Sequence, residues 1–175
     1  DVRLICVTKG VDRERIQSAI SYGIKDFGEN YIQEAKPKIE GLAGDICWHM
    51  IGHLQINKVK YVPGLFSYVH SIDRWELLQR LEKLGKPMKV LYELNLSGEA
   101  SKFGTDEDTL KFMLEKAADL KHIQSVGLMT MAPFAVDPEE SRSVFSRLRD
   151  VMKSVNKTFD LNLKELSMGM SSDFE

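Results

Sequence analysis

Seven short runs of apolar, largely β-branched residues recur along the chain, each separated from the next by a longer stretch of helical period. They span 4–7, 25–27, 46–51, 68–72, 90–96, 125–131 and 163–168. Most are near-continuous rather than alternating, the pattern of parallel strands covered on both faces. Strand–helix repetition of this kind confines the chain to an α/β protein built on a parallel sheet. No low-complexity linker, charge block or sequence repeat divides it, so residues 1–175 read as a single domain.

The intervening segments carry recognisable helix ends. Asp73 and Glu76 form a start signal of capping-box type before Leu77, Leu78, Leu81 and Leu84, and Gly85 stops that helix. Thr105 with Asp108 repeats the signal before Leu110, Met113, Leu114 and Ala117. The longest helix is expected from Asp137 to Asn156, with Val144, Phe145, Leu148, Val151, Met152 and Val155 on one stripe. A helix over 30–39 contains Pro37, which should kink or interrupt it.

A doubly wound sheet and a (β/α)8 barrel both satisfy this grammar. Against a dinucleotide-binding sheet, Lys9-Gly10-Val11 follows the first strand where G-x-G-x-x-G would be needed. The barrel is one strand short, and the chain is shorter than the usual minimum of about 200 residues. Ser171 to Glu175 nevertheless reads as a helix start, so the last unit is expected to be cut short, with an eighth strand lying beyond the sequence. The barrel is the favoured architecture.

Composition narrows the function classes. With 43% hydrophobic residues, and 24 Lys and Arg against 26 Asp and Glu, the chain has core material and no strong charge bias. Neither a nucleic-acid nor a membrane partner is expected. No apolar run is long enough to span a bilayer. Cys6 and Cys47 both lie in apolar runs and read as reduced core residues of a cytoplasmic protein.

Barrel sites form at the carboxyl ends of the strands. The residues there are Thr8-Lys9, Glu29-Asn30, Gly52-His53, His70, Ser71, Asp73, Asn95, Ser97, Thr130 and Ser171, which include no evident pair of carboxylates. His49 and His53 lack further ligands at familiar spacing for zinc and read as a packed and a loop histidine, so no metal is expected. Gly52 to Lys58 lacks the second glycine and the hydroxyl of a P-loop, and no G-x-S-x-G elbow is present. Lys9 stands apart by position, since a lysine after a buried first strand sits at the barrel mouth with its stem expected against apolar walls. Desolvation there would favour the neutral, nucleophilic amine that reacts with carbonyl compounds; a solvated strand end is the plainer alternative. Ser167, Gly169 and Ser171, in Ser167-Met168-Gly169-Met170-Ser171-Ser172, form a small-residue turn of the kind that cradles phosphate, an ordinary serine N-cap with Asp173 in the first turn being the plainer alternative. Amine and turn together suit an aldehyde that carries a phosphate.

Several colinear stretches match one family. They are Leu4 to Lys9, Asp26 to Glu34, Trp48 to Lys58 with its W-H-x-I-G-x-L-Q-x-N-K pattern, and Leu166 to Ser171. Ser101 to Gly104 and Gly127 to Pro133 fit as well. On these the chain resembles the pyridoxal phosphate homeostasis proteins, also known as proline synthetase co-transcribed homologues. The resemblance implies a fold-type III barrel like the N-terminal domain of alanine racemase, with pyridoxal 5′-phosphate as cofactor. It implies that Lys9 forms the internal Schiff base, that Ser171 contacts the phosphate, that Asn30 and Met129 lie near the ring, and that Lys102 lies near its phenolic side. It also implies a leading helix before the first strand and an R-x-G-S/T motif on the eighth. Neither is in this sequence. The role implied is to buffer and deliver the cofactor, affecting amino-acid and keto-acid balance, with no catalytic residues and no robust activity. PLP-dependent apoenzymes are its expected partners, and a monomer or weak dimer its expected state. A weak amino-acid racemase is the alternative.

Overall fold

The computed structural model describes residues 2–97, 103–133 and 137–171. Seven strands form one sheet: Cys6–Val7 (β1), Asp26–Glu29 (β2), Cys47–Met50 (β3), Tyr68–Ile72 (β4), Met88–Glu93 (β5), Ile123–Met129 (β6) and Glu165–Ser167 (β7). Every neighbouring pair is parallel and the spatial order follows the chain, β1 to β7. Such an order arises when each crossover returns the chain beside the strand it has just left. The crossovers are α1 (Arg13–Ser21), α2 (Ile32–Glu40), a 3-10 segment (Ile56–Tyr61), α3 (Trp75–Glu82), α4 (Glu107–Ala117) and α5 (Arg142–Phe159).

The sheet curls. Tyr68 Oη donates to Glu165 Oε1 at 3.4 Å, and His70 Nδ1 lies 2.8 Å from Ser167 Oγ. Both contacts join β4 to β7, three places apart in the sheet order. A flat sheet would hold those strands ~14 Å apart. The fold is therefore a partial (β/α) barrel whose inner face closes upon itself.

Side-chain parity separates two environments. Phe27, Trp48, Val69, Val90, Tyr92 and Leu128 face outward and pack with Leu77, Leu78, Leu81, Leu110 and Leu148 of the helices in one large core. Inside, the apolar cluster among the described residues is Tyr68, Leu91 and Met129, flanked by Cys47 and Val126. The expectation of apolar cover on both faces thus holds for the outer face alone. The bore also carries Asp26, His49, His70, Glu165 and Ser167, linked to one another or to Tyr68. Cys6 and Cys47 are both free thiols.

Several helix starts differ from the sequence expectation. Arg74, not Asp73, takes the N-cap of α3 and offers no side-chain bond; Asp73 instead pairs with Arg74 at 3.0 Å and His53 at 3.4 Å. At α4 the cap moves to Asp106, which accepts from Thr109 N at 2.7 Å. Thr105 is buried because its backbone bridges to Leu94, which also ends β5 earlier than the apolar run suggests. Asp137 opens a separate 3-10 turn, Pro138–Ser141, before α5 begins at Arg142. Pro37 does not end α2, which continues to Glu40. No helix among the described residues is long and apolar enough to cross a membrane.

Candidate functional site

At the carboxyl end of β1 the chain is anchored before it turns. Thr8 is buried, and its N–H donates to Gly28 O at 2.9 Å while its hydroxyl donates to Glu29 Oε1 at 2.7 Å. Lys38 of α2 donates to the same carboxylate oxygen and to Thr8 O, both at 2.7 Å. Glu29 is fully buried, so this is a charge pair held inside the protein, where loss of either partner is costly. Val11 N then closes on Thr8 O at 3.0 Å, with Gly10 at φ +69°, a conformation suited to glycine. Lys9 lies in this turn and is exposed. The expected desolvated stem is not what the structure has: the turn carries Lys9 past the strand end into solvent.

The other candidates lie at the ends of their own strands. Asn30 follows β2 and is half-buried, with its backbone so close to Gly52 that a Cβ there would meet Asn30 O at 2.5 Å. Gly52 thus lets the β3 loop close against Asn30. Met129 ends β6, is 6% exposed, and is the register partner of Ser167 at the end of β7. Gly169 has φ +88°, and Ser171 is exposed in the turn that follows. Lys102 lies outside the described residues. In parallel strands all these ends share one mouth, with Lys9 in the turn after β1 and Ser167 to Ser171 running from the end of β7 into the turn beyond it. Ser167 itself turns inward, its hydroxyl engaged with His70.

Three features were not visible in the sequence. First, the mouth holds a buried acid: Glu93 at the end of β5, whose pKa burial, then the charge of Asp73, pushes up to about 7. Second, the His53 ring stacks on Phe103 with centroids 3.8 Å apart. Burial lowers the pKa of His53, with Asp73 opposing and Arg74 reinforcing. Third, His49 Nε2 lies 3.0 Å from Asp26 Oδ1, and His49 Nδ1 lies 2.9 Å from His70 Nε2. With Ser167 these groups form an unbroken chain through the bore. Burial pushes the His70 pKa down to about 3, with the neighbouring His49 and Arg3 adding to it. Only non-local contacts across the curled sheet create this chain, so local motif reading could not find it. Asp26, Cys47 and His49 also gather oxygen, sulfur and nitrogen atoms within 4.8 Å at the opposite mouth. The Asp26 oxygen and His49 nitrogen there are already bonded to each other, and the Arg3 guanidinium lies 3.9 Å from Asp26.

Comparison with known proteins gives a consistent result. The family model for the alanine racemase N-terminal domain matches residues 2–175. A pyridoxal phosphate homeostasis protein of Aquifex aeolicus is 38% identical over 178 residues, covering 99% of this chain and 78% of that protein. The protein of the same name from Homo sapiens is 35% identical, covering 99% of this chain and 69% of its own. Among solved structures, PipY of Synechococcus elongatus PCC7942 with PLP bound superposes with a TM-score of 0.91 at 34% identity, covering 99% of this chain and 84% of that one. Alanine racemase of Clostridium difficile 630 in complex with cycloserine, at 10% identity and TM-score 0.80 over 98% of this chain and 49% of its own, shares the fold.

Proposed function

The chain belongs to the pyridoxal phosphate homeostasis proteins, within the alanine racemase N-terminal domain family, and on that premise we propose that it binds pyridoxal 5′-phosphate at the carboxyl mouth through Lys9, in a buffering and delivery role. The observation that carries this reading is the pairing of an exposed amine on β1 with a small-residue turn after β7, at one end of the same bore. These donors fit the group. When bound, the cofactor supplies an aldehyde that condenses with a primary amine. The buried Thr8–Glu29–Lys38 unit holds the base of the Lys9 turn, so the amine starts from a fixed backbone. Gly169 and Ser171 would offer the phosphate a turn without bulk, and Asn30 and Met129, at the ends of β2 and β6, would be the residues to hold the ring. PipY, 34% identical to this chain, is the relative solved with PLP bound.

The role is cofactor handling rather than turnover, in keeping with the name the relatives carry. Free thiols in the half-buried Cys6 and Cys47 suit a reducing, cytoplasmic setting. PLP-dependent apoenzymes are the natural recipients, and residues 1–175 act as one cofactor-binding domain.

The test is direct. Protein mixed with the cofactor should turn yellow, and borohydride should make the attachment permanent, with the added mass mapping to Lys9. Lys9→Ala should stay colourless and take up no added mass. A variant that binds as the parent does would refute the assignment. Solvent deuterium appearing at Cα of added amino acids would instead favour a racemase.

A further inference from the structure

The chain Asp26–His49–His70–Ser167 crosses the bore from the amino-terminal mouth to the turn after β7, and the sequence of donors along it is determined. Asp26 opens β2, His49 and His70 lie within β3 and β4, and Ser167 ends β7. Both imidazoles are almost fully buried, at 1% and 2% exposure, so each ring nitrogen must find its partner inside the protein. A carboxylate only accepts, so His49 Nε2 carries the proton shared with Asp26 at 3.0 Å. A neutral His49 then has a bare Nδ1, which accepts from His70 Nε2–H at 2.9 Å. His70, neutral as well, is left with a bare Nδ1, and that nitrogen accepts the Ser167 hydroxyl proton at 2.8 Å.

The resting relay therefore turns the Ser167 proton inward and leaves only lone pairs toward the mouth. A dianionic phosphate needs donors, and Ser167 in this state offers it none. The hydroxyl is released only if His70 carries its proton on Nδ1 and donates to Ser167 Oγ. His70 Nε2 must then accept, which requires a proton on His49 Nδ1 while Nε2–H stays on Asp26. The two states differ by one proton, held as an imidazolium beside the Asp26 carboxylate.

We propose that this relay sets the direction of the Ser167 hydroxyl, and that a phosphate dianion binding at the Ser167–Ser171 turn is accompanied by uptake of one proton at the Asp26–His49 pair. The proposal rests on the phosphate-bearing cofactor reading above and adds its coupling to pH. Charged and titratable groups face His49 from several elements. Asp26 on β2 and Glu165 on β7 favour the imidazolium, whereas Arg3 ahead of β1 disfavours it. Tyr68 of β4 stacks on the ring with centroids 4.6 Å apart, and Lys89 of β5 donates to the Tyr68 hydroxyl at 3.2 Å. His70 meets the ring edge-on at 5.1 Å, and the Cys47 thiol lies beside Asp26 on His49's own strand. Burial holds the His49 pKa below its ordinary value in the free protein, so the proton is absent at rest.

Two measurements separate this proposal from the reading beneath it. Nitrogen-15 spectra of the ligand-free protein report the ring tautomers without any cofactor. Nε2–H is expected on both His49 and His70, and Nδ1–H on His70 would overturn the relay. Binding is then measured with pyridoxine 5′-phosphate, which carries the phosphate but no aldehyde and so leaves Lys9 chemistry out. Between pH 7 and 8.5, where the phosphate is already dianionic, uptake of one proton makes affinity fall about tenfold per pH unit. Calorimetry in buffers of different ionisation enthalpy should count that proton directly. Asp26→Asn keeps an acceptor for His49 but removes the charge that holds the imidazolium. It should fold, as judged by circular dichroism, yet bind with a flatter pH profile and without the extra proton. His49→Gln serves as a second variant with the same expectation. Equal proton counts in the parent and both variants would overturn the coupling. Failure of the parent to bind the probe would overturn the phosphate coupling, while the Lys9 attachment is decided by its own borohydride test and the relay by the tautomers.

Discussion

Glu93 shows how one residue sets a pH response. It is 5% exposed, and burial with Asp73 nearby raises its pKa from 4.5 to about 7. Because the folded value lies above the unfolded one, its stabilising contribution is complete below pH 4.5 and is lost as pH rises through about 7. Linkage over that window amounts to ~3 kcal/mol. Glu93→Gln should therefore gain stability relative to the parent between pH 5 and pH 8, read as the difference between their denaturant midpoints at the two values. His70 acts in the opposite direction. Its pKa is pushed from 6.5 down to about 3, so its contribution is present above pH 6.5 and falls away as the solution is acidified toward 3. The sequence places Glu93 inside an apolar run, which hints at burial but hides its neighbour. Asp73 lies on the adjacent strand's exit, and only the β4–β5 pairing brings the two together.

At the scale of elements, strand positions were legible because apolar runs report burial directly. All seven predicted strands exist, displaced by one to three residues at most ends. Helix starts were less so, because Asp, Thr and Ser compete for the same role within a few residues and tertiary contacts decide. Thr105 resembles a cap, but its backbone is claimed by Leu94, and Asp106 takes the position. Asp106→Ala should cost about 1 kcal/mol in chemical denaturation, whereas Asp108→Ala, an exposed pairing with Lys111 at 3.0 Å, should cost only a few tenths. Of the candidate site, the amine and the turn after β7 were legible as strand-end residues. The Glu29–Lys38 support was not, since it joins a strand to a helix face. The histidine relay was not either, because its three links join residues 23, 21 and 97 apart in sequence through the bore.

The molecule as a whole is a curled sheet with its strongest pairing in the middle. β5 pairs with β6 over six register positions, whereas β1 meets β2 over two and β7 meets β6 over three. Opening free energy should follow that gradient. In hydrogen exchange read by mass spectrometry, amides of Val90 to Tyr92 should be the slowest among the strands, and those of Cys6–Val7 and Glu165–Ser167 the fastest. Uniform protection across the sheet would contradict this ordering. Between β4 and β7 two bonds span the inner face, from Tyr68 to Glu165 and from His70 to Ser167. Mechanically they act as tie rods, holding the short β7 against the well-paired middle of the sheet. The turn that follows β7 is therefore braced from inside the bore, through the Ser167 hydroxyl, as well as from the flank by β6.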